Sequence, residues 1–105
     1  MNNQTINHIS IIGGAGHVGL PLGLAFASKN FKIHLIDKNK KALKNIKQNK
    51  MPFLEIGAKK LLRKANKKKL FFYENDLSNI SKSKYIIICI GTPINKKLRP
   101  DLINF

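Results

Sequence analysis

Between residues 9 and 30 a run of β-branched residues gives way to glycines and then to an apolar helix, and few folds accept that order. Ile9-Ser10-Ile11-Ile12 is short and uniformly suited to a buried strand, and Gly13-Gly14 stops it. Val18-Gly19-Leu20-Pro21-Leu22-Gly23-Leu24-Ala25-Phe26-Ala27 follows, apolar on nearly every side and long enough for a helix. Pro21 lies early in it, where the missing N–H costs least. Ser28-Lys29-Asn30 closes it. A strand, a glycine turn and a buried helix in immediate succession predict the first half of a β-α-β unit, and such units build parallel sheets.

The rest of the chain continues that pattern. Phe31–Asp37 alternates and ends on an acid, as a second strand. Residues 39–49 read as a basic amphipathic helix with Ala42, Leu43 and Ile46 on its inner face. Met51-Pro52-Phe53-Leu54 is an extended connector. Ala58, Leu61, Leu62 and Ala65 recur at helical spacing, with lysines mostly outside. Leu70–Tyr73 is a third strand, a short polar stretch spans residues 76–80, and Tyr85–Ile90 is the strongest strand signal. That last run is expected in the middle of the sheet, covered on both sides. The fold class is α/β: a Rossmann-like open parallel sheet with helices on both faces. A doubly wound nucleotide fold normally continues for two more strands, so the chain is expected to be C-terminally truncated.

Gly14-Ala15-Gly16-His17-Val18-Gly19 fits G-x-G-x-x-G and lies between a strand and a helix, where the chemistry of that pattern requires it. Gly14 is expected to make the tight turn, Gly16 to admit a pyrophosphate close to the backbone, and Gly19 to bring the helix onto the strand. Free N–H groups at a helix N-terminus favour the anion. Asp37 ends the next strand 18 residues beyond Gly19, placed to accept hydrogen bonds from ribose hydroxyls. Its carboxylate repels a 2′-phosphate, which favours NAD over NADP, although Lys38, Lys40 and Lys41 partly offset that repulsion. The alternative, glycines that serve only a tight turn, leaves Asp37 unexplained.

Gly91-Thr92-Pro93 follows the last strand, and two readings of it stand open. Thr92 either offers its hydroxyl to the ribose or phosphate region of the cofactor, or belongs to a plain strand-ending turn. Cys89 is the chain's one cysteine and sits inside an apolar run, where a free thiol is commonly a small hydrophobe. A lone cysteine excludes internal disulfides and multi-cysteine zinc sites. His8, His17 and His34 lack metal-like spacing.

Composition matters chiefly for the charge. Residues 38–69 hold thirteen of the 20 Lys+Arg and one acid, Glu55, so that segment supplies 13 − 1 = +12 of the net +15. Such a block is either an electrostatic footprint for a polyanion or the solvated faces of helices in a Lys-, Asn- and Ile-rich chain. Only two of the 20 basic residues are Arg, and the block lacks the interleaved aromatics of base-stacking surfaces, so nucleic acid is the disfavoured partner. No apolar run nears the roughly 20 residues that span a bilayer, and Met1–Gln4 has no signal-peptide character. The expectation is a soluble cytoplasmic protein without a membrane partner.

Several of these segments resemble one family. Ile12-Gly13-Gly14-Ala15-Gly16-His17-Val18-Gly19-Leu20-Pro21-Leu22 is similar to the opening of the UDP-glucose/GDP-mannose dehydrogenase family, whose turn runs G-x-G-Y-V-G-L-P-L. Asp37-Lys38-Asn39 resembles its D-x-N, Pro52-Phe53-Leu54-Glu55-Ile56-Gly57 its P-x-x-E-x-G, and Gly91-Thr92-Pro93 with Pro100-Asp101-Leu102 its T-P…P-D-L. The resemblance covers about residues 8–103. It implies an enzyme that oxidises the C6 hydroxymethyl of a nucleotide sugar to a carboxylate with two NAD in succession. The Pro-Phe-Leu-Glu and Gly-Thr-Pro variants lean toward members acting on N-acetylated UDP-hexosamines. The resemblance implies NAD contacts at His17 and Val18 through the backbone and at Asp37 and Thr92, beside the motif's own Gly14, Gly16 and Gly19. His17 stands where the family has Tyr, and Ala42 where many members have a basic residue.

The family's catalytic Cys, Lys, Asn and Asp match nothing in this sequence, and Cys89 does not correspond to that Cys. Residues 1–105 are therefore expected to be an incomplete N-terminal NAD-binding domain, without the middle and sugar-binding domains and inactive alone, from a parent that is a homo-oligomer. UDP-sugar would be met through those absent domains. Two alternatives stand beside this: a free-standing dinucleotide-binding regulatory module, and a basic nucleic-acid-binding protein.

Overall fold

A computed structural model of the chain describes residues 7–90. Four strands form one parallel sheet: β1 (His8–Ile12), β2 (Lys32–Ile36), β3 (Phe71–Glu74) and β4 (Tyr85–Ile88), in the order β3-β2-β1-β4. Three helices connect them: α1 (Gly19–Ala27), α2 (Lys40–Lys47) and α3 (Ala58–Lys67), with a 3-10 turn at Ile80–Lys82. The chain is wound outward from β1 to β3 and then returns to β4 on the other side of β1. That reversal creates a switch point, and a crevice opens there at the carboxyl ends of the strands.

Register settles which residues share a face. Ile9 pairs with Ile33, which pairs with Phe71, and Ile11 pairs with Leu35, which pairs with Tyr73. Gly23 of α1 lies against Leu35, Ile11 and Ile33, so the helices pack on this face. A Cβ at Gly23 would stand 3.1 Å from Leu35 Cδ2. The core contains Ile11, Leu20, Ile33, Leu35, Ile46 and Leu62, all fully buried. Glycine inside a helix sacrifices about 1 kcal/mol of propensity, set here against the close approach of α1 to Leu35, Ile11 and Ile33.

Local signals set the helix limits. Asn39 caps α2, its side chain accepting from the Ala42 amide at 3.0 Å. Each helix is followed by a left-handed residue, Asn30 (φ 69°), Asn49 (φ 65°) and Lys69 (φ 57°) respectively, which ends the helical path. Asn66 ties the layers together. Its amide nitrogen donates to Ile46 O at 3.0 Å and Asn49 Oδ1 at 2.8 Å, and its oxygen accepts from Tyr73 Oη–H.

One expectation changes. β4 is an edge strand of the described sheet rather than a central one, with Ile86 and Ile88 both exposed. Its apolar run reads as buried because composition reports the hydrophobicity of a strand and not which neighbours lie beside it. Of the two inner helix faces, Leu43, Ile46, Ala58, Leu62 and Ala65 are buried, and Leu61 is exposed.

Candidate functional site

The glycine loop follows directly from β1. Gly13 and Gly14 both donate to Ile36 O, at 2.8 and 3.1 Å, which fastens the loop to the end of β2. The left-handed residue is Gly13 (φ 85°), not Gly14, so the tight turn is made one position earlier than the motif suggests. A side chain at Gly13 would also strike Cys89 O, 2.2 Å from the Cβ position. Gly14 is required for space: a Cβ there would lie 2.8 Å from Leu35 Cα. At Gly19 the Cβ would be 2.2 Å from Gly13 O, so the start of α1 rests on the loop itself. Gly16 differs from these three, because the nearest atom to its Cβ position is Gly13 O at 3.4 Å, an ordinary contact. The protein therefore tolerates a methyl at Gly16, and the space above it is open.

The amides of His17, Val18 and Gly19 have no backbone acceptor among the described residues. They stand at the N-terminal end of α1, where unpaired N–H groups and the helix dipole suit an anion. His17 and Val18 are exposed, and the His17 ring stacks on Phe53 with centroids 4.4 Å apart. The connector after α2 thus reaches the glycine loop, a contact that spacing alone gives no sign of.

Asp37 is the pivot between loop and sheet. Its Oδ2 accepts from the Ala15 amide and its Oδ1 from the Asn39 amide, each at 3.0 Å. The Asp37 amide in turn donates to Glu74 O at 3.0 Å. Both carboxylate oxygens keep a lone pair for a further donor. Beside it a cavity of about 710 Å³ opens at the strand ends, lined by Ile12, Gly13, Asp37, Lys38, Leu77 and Ile90 among others. That volume falls within the usual range for a small-molecule site. Asp76, also on its rim, has its carboxyl pKa held below the usual value by hydrogen bonds from the Ser78 hydroxyl and amide. Cys89 lines the cavity, partly buried, with its amide bound to Ile12 O at 2.7 Å.

Gly14, Gly16, His17, Val18, Gly19 and Asp37 are thus brought together around one loop. Thr92, with Gly91, Pro93 and the 99–102 segment, lies outside the described residues. Asn75, Asp76 and Leu77 were not expected at the cavity. The only clue in sequence is that they follow a strand at its carboxyl end. The thirteen basic side chains of residues 38–69 are all exposed, nine of them on α2 and α3. Among the described residues no group of three or more His, Cys, Asp or Glu could hold a metal, and no helix is long and apolar enough to cross a membrane.

A parallel sheet with a switch point, a glycine loop feeding the free N-terminus of a helix and an acid at the end of the second strand define a dinucleotide-binding domain of Rossmann type. The open space at Gly16 and the unpaired amides fit a pyrophosphate, and the cavity beside Asp37 fits an adenosine. Residues 7–105 match the family model described as UDP-glucose/GDP-mannose dehydrogenase family, NAD binding domain, and the chain belongs to that family. Its cofactor is NAD.

Among its relatives, Protein CapL of Staphylococcus aureus is 32% identical over 98 residues, covering 93% of this chain and 22% of CapL. The UDP-glucose 6-dehydrogenase TuaD of Bacillus subtilis is 33% identical over 95 residues, covering 90% of this chain and 20% of TuaD. The crystal structure of GDP-mannose dehydrogenase from Pseudomonas aeruginosa superposes with a TM-score of 0.80 at 26% identity, covering 91% of this chain and 22% of that one. The chain spans about a fifth of the length of these relatives.

Proposed function

We propose that these residues are the NAD-holding part of an enzyme that oxidises the C6 hydroxymethyl of a UDP-sugar to a uronic acid. The observation that carries the reading is the glycine loop pinned to Asp37, in a chain whose relatives include a UDP-glucose 6-dehydrogenase. In it the amides of His17 and Val18 meet the pyrophosphate, Gly14, Gly16 and Gly19 shape the loop around it, Asp37 accepts from the ribose hydroxyls, and Thr92 adds a hydroxyl contact. NAD, when bound, supplies the hydride acceptor. This chain's residues bind it, orient it and keep its 2′-hydroxyl side acidic, which selects against NADP. The Pro52–Glu55 and Gly91–Pro93 segments lean toward an N-acetylated UDP-hexosamine as the sugar.

The sugar is brought by parts of the protein other than these 105 residues. Holding both reactants in near-attack geometry supplies about 7–11 kcal/mol of barrier reduction, and a site that positions only the cofactor forfeits most of it. Cys89, partly buried beside the glycine loop, is not the nucleophile. The test is calorimetric titration of NAD into wild type and Gly16→Val, with NADH absorbance assays on UDP-glucose, UDP-N-acetylglucosamine and UDP-N-acetylmannosamine. NAD binding by wild type, loss of it in Gly16→Val and no turnover by the 105-residue chain are the expected results. Equal NAD affinities would refute the loop assignment, and turnover abolished by Cys89→Ala would make Cys89 the nucleophile.

A further inference from the structure

The second face of the sheet carries a buried group that the cofactor loop does not use. His8 Nδ1 and His34 Nε2 are 2.7 Å apart, and His34 Nδ1 is 2.5 Å from Glu74 Oε2. His34 is 3% exposed, and Phe72 stacks on it with centroids 4.7 Å apart. The other carboxylate oxygen, Glu74 Oε1, is buried without a partner among the described residues. These side chains run diagonally across β1, β2 and β3. They end at a residue whose own carbonyl takes the Asp37 amide, and whose next three neighbours, Asn75, Asp76 and Leu77, line the cofactor cavity.

We propose that His34 and Glu74 are positioning residues for the cofactor: they clamp the middle of β2 to the end of β3 and so hold the Asp37 amide and the 75–77 wall, with His8 as the clamp's proton-sensitive end. This rests on the reading of the cavity as the NAD site.

The hydrogen bonds dictate how many protons the clamp accepts. A carboxylate only accepts, so His34 Nδ1 donates to Glu74. With both rings neutral, His34 Nε2 accepts from His8 Nδ1–H. With one extra proton on the pair, His34 Nε2–H donates to His8 Nδ1, and the same separation is kept. A second proton makes both facing nitrogens donors, and the contact opens.

Burial, His34, Lys32 of β2 and Lys82 of the 3-10 turn all oppose a proton on His8, and Glu74 favours it. The His8 pKa accordingly lies below its ordinary 6.5. Ser10 of β1, bonded to Ser83, and Ile86 of β4 complete the surroundings without charge.

The experiment follows backbone amide NMR shifts from about pH 8 to about pH 5, with NAD titrations at both ends. The amides of Asp37, Asn75 and Leu77 are expected to titrate together with the His8 imidazole. NAD affinity is expected to fall about two- to tenfold toward the acid end, the worth of one net hydrogen bond. His8→Phe, which keeps an aromatic ring against Phe72, abolishes the titration at those three amides.

Glu74→Gln keeps an acceptor for His34 Nδ1–H and retains NAD affinity within about twofold, whereas Glu74→Ala weakens it by the same two- to tenfold. Amides at 37, 75 and 77 that ignore the His8 titration would overturn the proposal, as would full NAD affinity in Glu74→Ala. The shifts need no NAD, so a chain that bound none would refute the cofactor reading while the clamp was still judged on the shifts.

Discussion

Gly16 and Gly19 are three residues apart in one motif, and the structure gives an added methyl opposite fates at the two positions. At Gly19 the new Cβ would stand 2.2 Å from Gly13 O, 2.9 Å from Gly13 C and 3.1 Å from Gly14 Cα. All three are backbone atoms, and the loop that owns them is itself held by the hydrogen bonds of Gly13 and Gly14 to Ile36 O. No side chain can swing aside, so α1 must lift from the loop. Overpacking of this kind costs about 1–3 kcal/mol, or more where the neighbours are rigid. For a domain near this size, roughly 4–8 °C of Tm is lost per kcal/mol.

At Gly16 the nearest atom is at 3.4 Å, and φ lies outside the left-handed region, so Ala is expected within about 0.5 kcal/mol of wild type. The same methyl occupies the space above the loop and weakens NAD binding. Urea unfolding of Gly16→Ala and Gly19→Ala, paired with NAD calorimetry, separates the two effects. If Gly16→Ala lost as much stability as Gly19→Ala, or if Gly19→Ala unfolded like wild type, the close-packed loop would be the wrong account of this motif.

Asp37→Ala should weaken NAD binding by roughly 1–3 kcal/mol and NADP binding less, because repulsion of the 2′-phosphate goes with the carboxylate. Proportional loss of both cofactors in calorimetry would count against a ribose contact. Asn66→Ala strips the partner from the Tyr73 hydroxyl and from Ile46 O at once, and should cost about 1–3 kcal/mol in urea unfolding. A neutral result would mean that water replaces both bonds. His8 has a depressed folded pKa, so the unfolded chain binds its proton more readily. The stability it contributes is complete above 6.5 and is lost as pH falls from there toward the folded value. Unfolding midpoints across that range should drop in wild type and stay level in His8→Phe.

The order of elements, the parallel sheet and the glycine loop with its acid were legible in the residues themselves. Each depends on local periodicity or on a short motif whose spacing is dictated by backbone geometry: Ile9–Ile12, the glycines that follow, and Asp37 one strand later. The family, too, was legible, since four motifs occur in fixed order along the chain. Other features exist only once strands pair and layers close. Gly13 rather than Gly14 takes the left-handed turn, in a loop crowded by Leu35 of β2 and by Cys89 just after β4. The cavity wall at 75–77 and the stacking of Phe53 on His17 depend on where the 3-10 segment and the connector come to rest. His8, His34 and Glu74 are 26 and 40 residues apart in the chain, and parallel pairing with a diagonal offset makes them neighbours. Periodicity carries no information about contacts at that range, because it records which face a residue turns to and not what the face meets.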